Sequence, residues 1–221
     1  MLLLTLTGHD AVHDVLGELG AVAVLLWTSA KKLAGVPEAH NKELCSLLNA
    51  AIRSDDPRLM STVAVLSRGI NTLCVTRRMD DDLVAFPPNG KTYRGGGFDD
   101  AHRGFFVVGK KYRVPGYLAT SFEERKAHDF IGWADEPATV KWVISVDPRG
   151  ATDRRFACKH VNLVRHTHVA NELEYLFCPY SVFTVTGVTW ALSPDDSHTI
   201  ELQAATDNRR EPEDLPLAPW Y

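Results

Sequence analysis

The spacing of apolar residues changes near residue 80, and this change constrains the fold more tightly than any bulk property of the chain. Before it, Val12, Val15, Leu16, Leu19, Val22 and Leu26 fall at offsets 0, 3, 4, 7, 10 and 14, the repeat of an amphipathic helix. Leu44, Leu47, Leu48, Ala51 and Ile52 make a second stripe, and Leu59, Val63, Leu66, Ile70 and Leu73 a third. Between these two, Ser54-Asp55-Asp56-Pro57 ends one helix and starts the next. Beyond Asp80-Asp81-Asp82 the period drops to two: Val140, Trp142, Ile144 and Val146 alternate with Lys141, Val143 and Ser145. Further strand-like stretches cover 91–94, 116–120, 173–177, 181–190 and 199–203, with one helical insert at 123–131. Helices followed by strands predict an α+β fold.

At 221 residues, 45% hydrophobic and 24% charged, the chain has enough apolar mass to bury a full core, which excludes global disorder. It divides into a helical part at 1–85, a β-rich part at 86–206 and a Pro-rich tail at 207–221, read as loose. A net charge of -4 supplies no basic field for a phosphate backbone or an anionic membrane, so neither nucleic acid nor membrane is an expected partner. The opening Met1-Leu2-Leu3-Leu4 lacks a basic flank and a cleavage site, so no signal peptide is read. The nine-residue apolar run from Leu19 to Trp27 falls short of the about 20 residues a membrane span needs and reads as a buried helical segment. A cytoplasmic monomer is the default expectation, with export as an effector by another route left open. Cys45, Cys74, Cys158 and Cys178 show no C-x-x-C spacing and are expected as buried free thiols.

Three segments carry chemistry. In Tyr93-Arg94-Gly95-Gly96-Gly97 a rigid guanidinium fork stands beside a backbone that a ligand can approach closely, a combination suited to a pyrophosphate and a planar amide. Ala119-Thr120-Ser121-Phe122 precedes the acidic first turn of the helical insert, where a serine is ordinarily an N-cap. In Asn171-Glu172-Leu173-Glu174-Tyr175-Leu176-Phe177, strand alternation would set Glu172 and Glu174 on one face. Two such carboxylates can divide labour, one stabilising a cationic transition state and the other taking a proton from a nucleophile.

In this order and spacing, the three segments resemble the Arg-Ser-Glu class of mono-ADP-ribosyltransferases, of the arginine-specific type with an E-x-E motif. The resemblance covers roughly residues 40–190 and includes Leu48-Asn49-Ala50-Ala51-Ile52-Arg53, similar to the family's Asn-x-x-Leu-Arg helix. It implies an N-terminal helical subdomain packed on a β-sandwich-like catalytic core, NAD as co-substrate, a protein acceptor and no metal. By the same resemblance Arg94 anchors the NAD phosphates, the backbone of Gly95 engages the nicotinamide amide, and Glu174 holds the ribose 2'-hydroxyl for glycosidic cleavage. Glu172 is implied to serve an arginine acceptor, while Thr120 and Ser121 are implied in the NAD pocket. By the same resemblance Phe130 and Trp133 stand near the segment that packs over NAD, where an aromatic ring either stacks on nicotinamide or packs in the core, and Arg103 offers a second phosphate contact or a solvated surface charge.

The resemblance has one departure: Ala119 stands where the family has a serine that hydrogen-bonds the catalytic glutamate. Losing one neutral hydrogen bond costs about 1 kcal/mol, enough to slow an enzyme without abolishing it. A small shift of Thr120 or Ser121 would compensate. An NAD glycohydrolase and a degenerate NAD-binding module with little turnover stand as alternatives. His160, His166 and His168 precede the E-x-E segment and are read as a polar recognition loop in preference to a zinc site.

Overall fold

In a computed structural model of the chain, residues 20, 22, 23, 25–29, 42–71, 86–153, 155–158, 161–163, 173–193 and 195–219 are described. Two helices form where their stripes predict, α1 (Leu44–Ser54) and α2 (Pro57–Asn71), although Leu59 of the third stripe is exposed. The punctuation between them works through backbone chemistry. Asp55 caps α1 in the left-handed region at φ 49°, and the Asp56 carboxylate accepts the Arg58 N–H at the start of α2. The described residues between 20 and 27 are also helical, but the buried face is not the expected one: Val22, Leu25 and Leu26 are exposed, and Ala23 and Trp27, one turn apart, face inward. These two join Leu48, Ile52, Ile70, Tyr117 and Leu176 in one apolar cluster between the helices and the sheet.

The remaining elements are β1 (Lys91–Phe98), β2 (Lys111–Val114), β3 (Leu118–Ser121), α3 (Glu124–Gly132), β4 (Ala138–Ser145), β5 (Val161–Leu163), β6 (Glu174–Phe177), β7 (Ser181–Thr189) and β8 (His198–Ala204). They form one eight-stranded mixed sheet, ordered β2-β7-β8-β4-β1-β3-β6-β5, in which β4 and β8 run parallel and the other pairs antiparallel. Phe177 of β6 and Phe183 of β7 lie near opposite ends of that order, yet their rings are 5.1 Å apart. The sheet therefore curls until its ends share one interior, filled by Tyr112, Val140, Trp142, Ile144, Ile200 and Leu202. The expected sandwich-like core thus takes the form of a single sheet folded on itself.

Three expectations are corrected. β1 was expected to stop at Arg94, but it continues through Gly95, Gly96 and Gly97 to Phe98 because Lys91–Phe98 pairs residue for residue with β4. That tertiary pairing overrides the weak strand preference of glycine. β2 and β5 were not among the expected strands: at four and three residues their alternation is too short to stand out, and they are fixed by pairing with β7 and β6. The segment after residue 207 is strapped to β2 instead of hanging loose. Arg113 N–H donates to the Pro216 carbonyl (2.9 Å), Ala218 N–H donates to the Arg113 carbonyl (2.8 Å), and the buried guanidinium donates to the carbonyls of Tyr180 (3.0 Å) and Pro212 (2.7 Å). The described cysteines Cys45, Cys158 and Cys178 carry thiols outside any disulfide, with the last two buried; Cys74 lies outside the described residues. Among the described residues no helix is long and apolar enough to cross a membrane.

Candidate active site

The site forms where β1, β3 and β6 meet. Tyr93 pairs with Ser121, and Ser121 pairs in turn with Glu174, so the register sets residues of all three chemical segments side by side. β1 and β3 share only that one paired position, while β3 and β6 pair over four. At this seam a cavity opens beneath α3, lined by Arg94, Thr120, Ser121, Phe130 and Glu174 together with Tyr93, Ala119, Lys126 and Ala127.

Glu174 is the first residue of β6 and is 8% exposed. A carboxylate so deep needs donors, and one comes from far away in sequence: Trp27 Nε1–H donates to Glu174 Oε1 at 2.9 Å. The residue before it breaks the alternation expected for the E-x-E segment. Leu173 adopts φ 45° and is 48% exposed, so the chain turns there, and β6 begins only at Glu174. The rule that i and i+2 share a face requires extended backbone at i+1, so it does not carry Glu172 to the face of Glu174. Glu172 itself lies outside the described residues, as do His160, His166 and His168.

Arg94 stands on β1 opposite Trp142 of β4, half-buried, and donates an Nη1–H to the Ala119 carbonyl at 2.9 Å. The contact fixes the guanidinium plane against β3, beside the cavity. Gly95 is a glycine for a reason of packing. A Cβ there would run into the Ala127 carbonyl and sit 2.9 Å from Ile131 Cγ1, so α3 rests directly on the β1 backbone. Lys141 of β4 holds the other side of that helix, donating to Glu124 at 2.7 Å and keeping its carboxyl below the ordinary range. Lys126, which sequence reasoning passed over, adds a second cation to the cavity wall.

Thr120 and Ser121 reach the cavity edge with much of their hydrogen bonding directed inward. Thr120 Oγ1–H donates to the Tyr175 carbonyl at 2.6 Å, locking β3 to β6, and Ser121 Oγ accepts the Glu123 N–H at 3.1 Å at the start of α3. Phe130 lines the cavity and meets Trp133 edge-on at 5.3 Å, with both rings largely exposed. Arg103 is engaged elsewhere, paired with Asp100 at 2.7 Å and stacked over Trp190. His198 and then Arg103 hold the Asp100 carboxyl below its usual range. Asn49 of α1 brackets the entry to β3. Its amide donates to the Tyr117 carbonyl at 3.1 Å and accepts the Tyr117 N–H at 2.8 Å, which supports the position of Ala119 and Ser121 from beneath.

The curled sheet with its covering helices is the fold of the ADP-ribosyltransferases. HopU1 of Pseudomonas syringae is 15% identical at a TM-score of 0.61, with the match covering 89% of this chain and 82% of that one. The ADP-ribosyltransferase Vis of Vibrio splendidus, in an inhibitor complex, is 13% identical at a TM-score of 0.58, covering 91% of this chain and 87% of that one; it has also been solved with agmatine. Exoenzyme S of Pseudomonas aeruginosa, solved with a human 14-3-3 protein and carba-NAD, is 17% identical at a TM-score of 0.53, covering 85% and 74%. No protein-family profile and no curated sequence matches the chain.

Proposed function

We propose that the protein is an NAD-dependent mono-ADP-ribosyltransferase that moves ADP-ribose from NAD to a protein side chain, with arginine as the acceptor and nicotinamide released. The observation that carries this reading is a buried carboxylate, Glu174, lining the same cavity as the anchored guanidinium of Arg94. The two groups match the two ends of the chemistry. Arg94, with Lys126 near it, supplies the positive field and the planar fork that a pyrophosphate takes. Glu174 faces the ribose. As the bond between the ribose carbon and nicotinamide nitrogen breaks, its electron pair leaves with the ring, and positive charge moves from pyridinium to sugar. A fixed carboxylate beside the sugar is worth more at that point than in the ground state, which is the condition for lowering the barrier.

Phe130, exposed at the cavity rim, offers a ring face for the nicotinamide. Arginine as acceptor rests on the E-x-E resemblance, in which Glu172 takes the proton that a guanidinium must shed, and it draws support from the agmatine complex of the structural neighbour Vis, agmatine carrying the same guanidinium. The carba-NAD complex of Exoenzyme S supports NAD as donor. Incubating the protein with NAD and a cell lysate, followed by mass spectrometry of modified peptides, tests both halves. ADP-ribose on arginine is expected. ADP-ribose confined to another residue type would refute the acceptor, and free ADP-ribose with no modified peptide would show a glycohydrolase.

A further inference from the structure

We infer that Trp27 is a positioning residue for Glu174, and that it performs through the indole N–H the orienting task that no hydroxyl at position 119 can perform. The inference rests on the proposed function and deepens it. On β3, Ala119 pairs with Leu176 and Ser121 with Glu174, so Ala119 sits diagonally from Glu174 on the same face of the sheet. Its methyl group lines the cavity and has nothing to donate. The indole reaches the carboxylate instead, with Nε1–H donating to Oε1 at 2.9 Å. The two partners are 147 residues apart in sequence and both nearly withdrawn from water, at 6% and 8% exposure.

The chemistry of the donor matters. An indole nitrogen donates and never accepts, so it holds the Glu174 oxygen as an acceptor and fixes which way the carboxylate plane is turned. A seryl hydroxyl can rotate and can itself accept, whereas the indole N–H has one direction set by its ring. That ring is immobilised: it is buried with Leu48, Ile52 and Ile70 and stands 5.0 Å from the Tyr117 ring. Tyr117 is in turn the residue that Asn49 brackets from α1. The helical part of the chain therefore reaches into the chemistry, since the buried Trp27 at the end of its first described helical segment sets the orientation of the group that faces the sugar.

Trp27→Phe keeps an aromatic side chain, smaller by the pyrrole half, and removes the donor. With the fold checked by thermal melting, kcat for nicotinamide release is expected to fall roughly tenfold while KM for NAD moves less than about threefold, as befits an interaction used in the transition state. Ala119→Ser introduced into Trp27→Phe places a hydroxyl on the same face and is expected to recover several-fold of the lost kcat, a rescue that a packing role would not allow. A kcat for Trp27→Phe within twofold of wild type, or a loss that Ala119→Ser leaves untouched, overturns the inference and leaves the proposed function standing. A wild-type protein that releases no nicotinamide refutes the proposed function, and with it any positioning role. In that event the indole N–H resonance lost in Trp27→Phe reports on the contact alone: it moves in Glu174→Ala if the hydrogen bond exists, and an unmoved resonance removes the contact as well.

Discussion

Position 95 carries glycine because α3 lies against the β1 backbone, with the Ala127 carbonyl occupying the volume of any Cβ. Gly95→Ala is expected to destabilise the protein by about 2–3 kcal/mol or more, as backbone-against-backbone overpacking does. Gly96→Ala, where nothing lies within 4 Å, is the control and should change stability by less than about 1 kcal/mol. Denaturant midpoints of the two variants decide between packing and mere flexibility as the cause. At Arg94 the expectation concerns binding. Arg94→Lys keeps the charge but loses the fork and the fixed plane against Ala119, so KM for NAD should rise by about tenfold, read by initial-rate kinetics. Arg94, Ser121 and Glu174 were legible in the sequence because each sits in a segment whose order and composition carry meaning. Trp27 was not, since its partner lies 147 residues away and its own surroundings read as an ordinary buried helix. The pairing of Glu172 with Glu174 was inferred from strand alternation that the left-handed Leu173 interrupts, a conformation that leucine rarely adopts and that no pattern announces.

Helices α1 and α2 were readable because an amphipathic stripe is a direct record of one-sided burial, and the Asp-Asp-Pro junction encodes its own cap and start. Strand β1 was only half readable: glycine favours turns over strands, and that preference is overridden by β4 across the sheet. The link between helices and sheet is narrower than the apolar cluster suggests. Asn49 holds the start of β3 by two hydrogen bonds, and Gly116 next to Tyr117 leaves room for it, since a Cβ there would lie 2.8 Å from Asn49 Oδ1. Asn49→Ala strips both bonds from the backbone of the buried Tyr117 and is expected to cost about 2 kcal/mol. At the 2–4 °C per kcal/mol usual for chains of this size, thermal melting should show a drop of about 4–8 °C. A Tm within 1 °C of wild type would show that the apolar cluster alone positions β3.

Among the long-range ties of the described residues, Trp27 to Glu174 lies at the site and the strap of residues 207–219 lies over β2 at the far end of the sheet order. The strap was read as a loose tail because prolines and charges are what loose tails contain. Its anchor is a buried arginine on a strand too short to be recognised. Deleting residues 207–221 would strip the Arg113 guanidinium of the Pro212 and Glu211 carbonyls and β2 of its cover, at an expected cost of about 3–5 kcal/mol. Replacing Arg113 by leucine in the shortened chain should recover part of that loss, which urea titration can measure. The α+β order and the location of the site were visible from the change of apolar period and from three short segments. The curling that brings β6 against β7, and the seam at β1 and β3 where the cavity opens, follow from pairings that no local pattern encodes. The central claim is that this seam holds the machinery for cleaving the bond between nicotinamide and ribose. It is tested most directly by following nicotinamide release from NAD with the wild-type protein and with Glu174→Gln, both shown folded by equal thermal midpoints. The account predicts turnover by the wild type and a loss of about a hundredfold or more in the variant; equal rates in the two proteins, or no release by either, would contradict it.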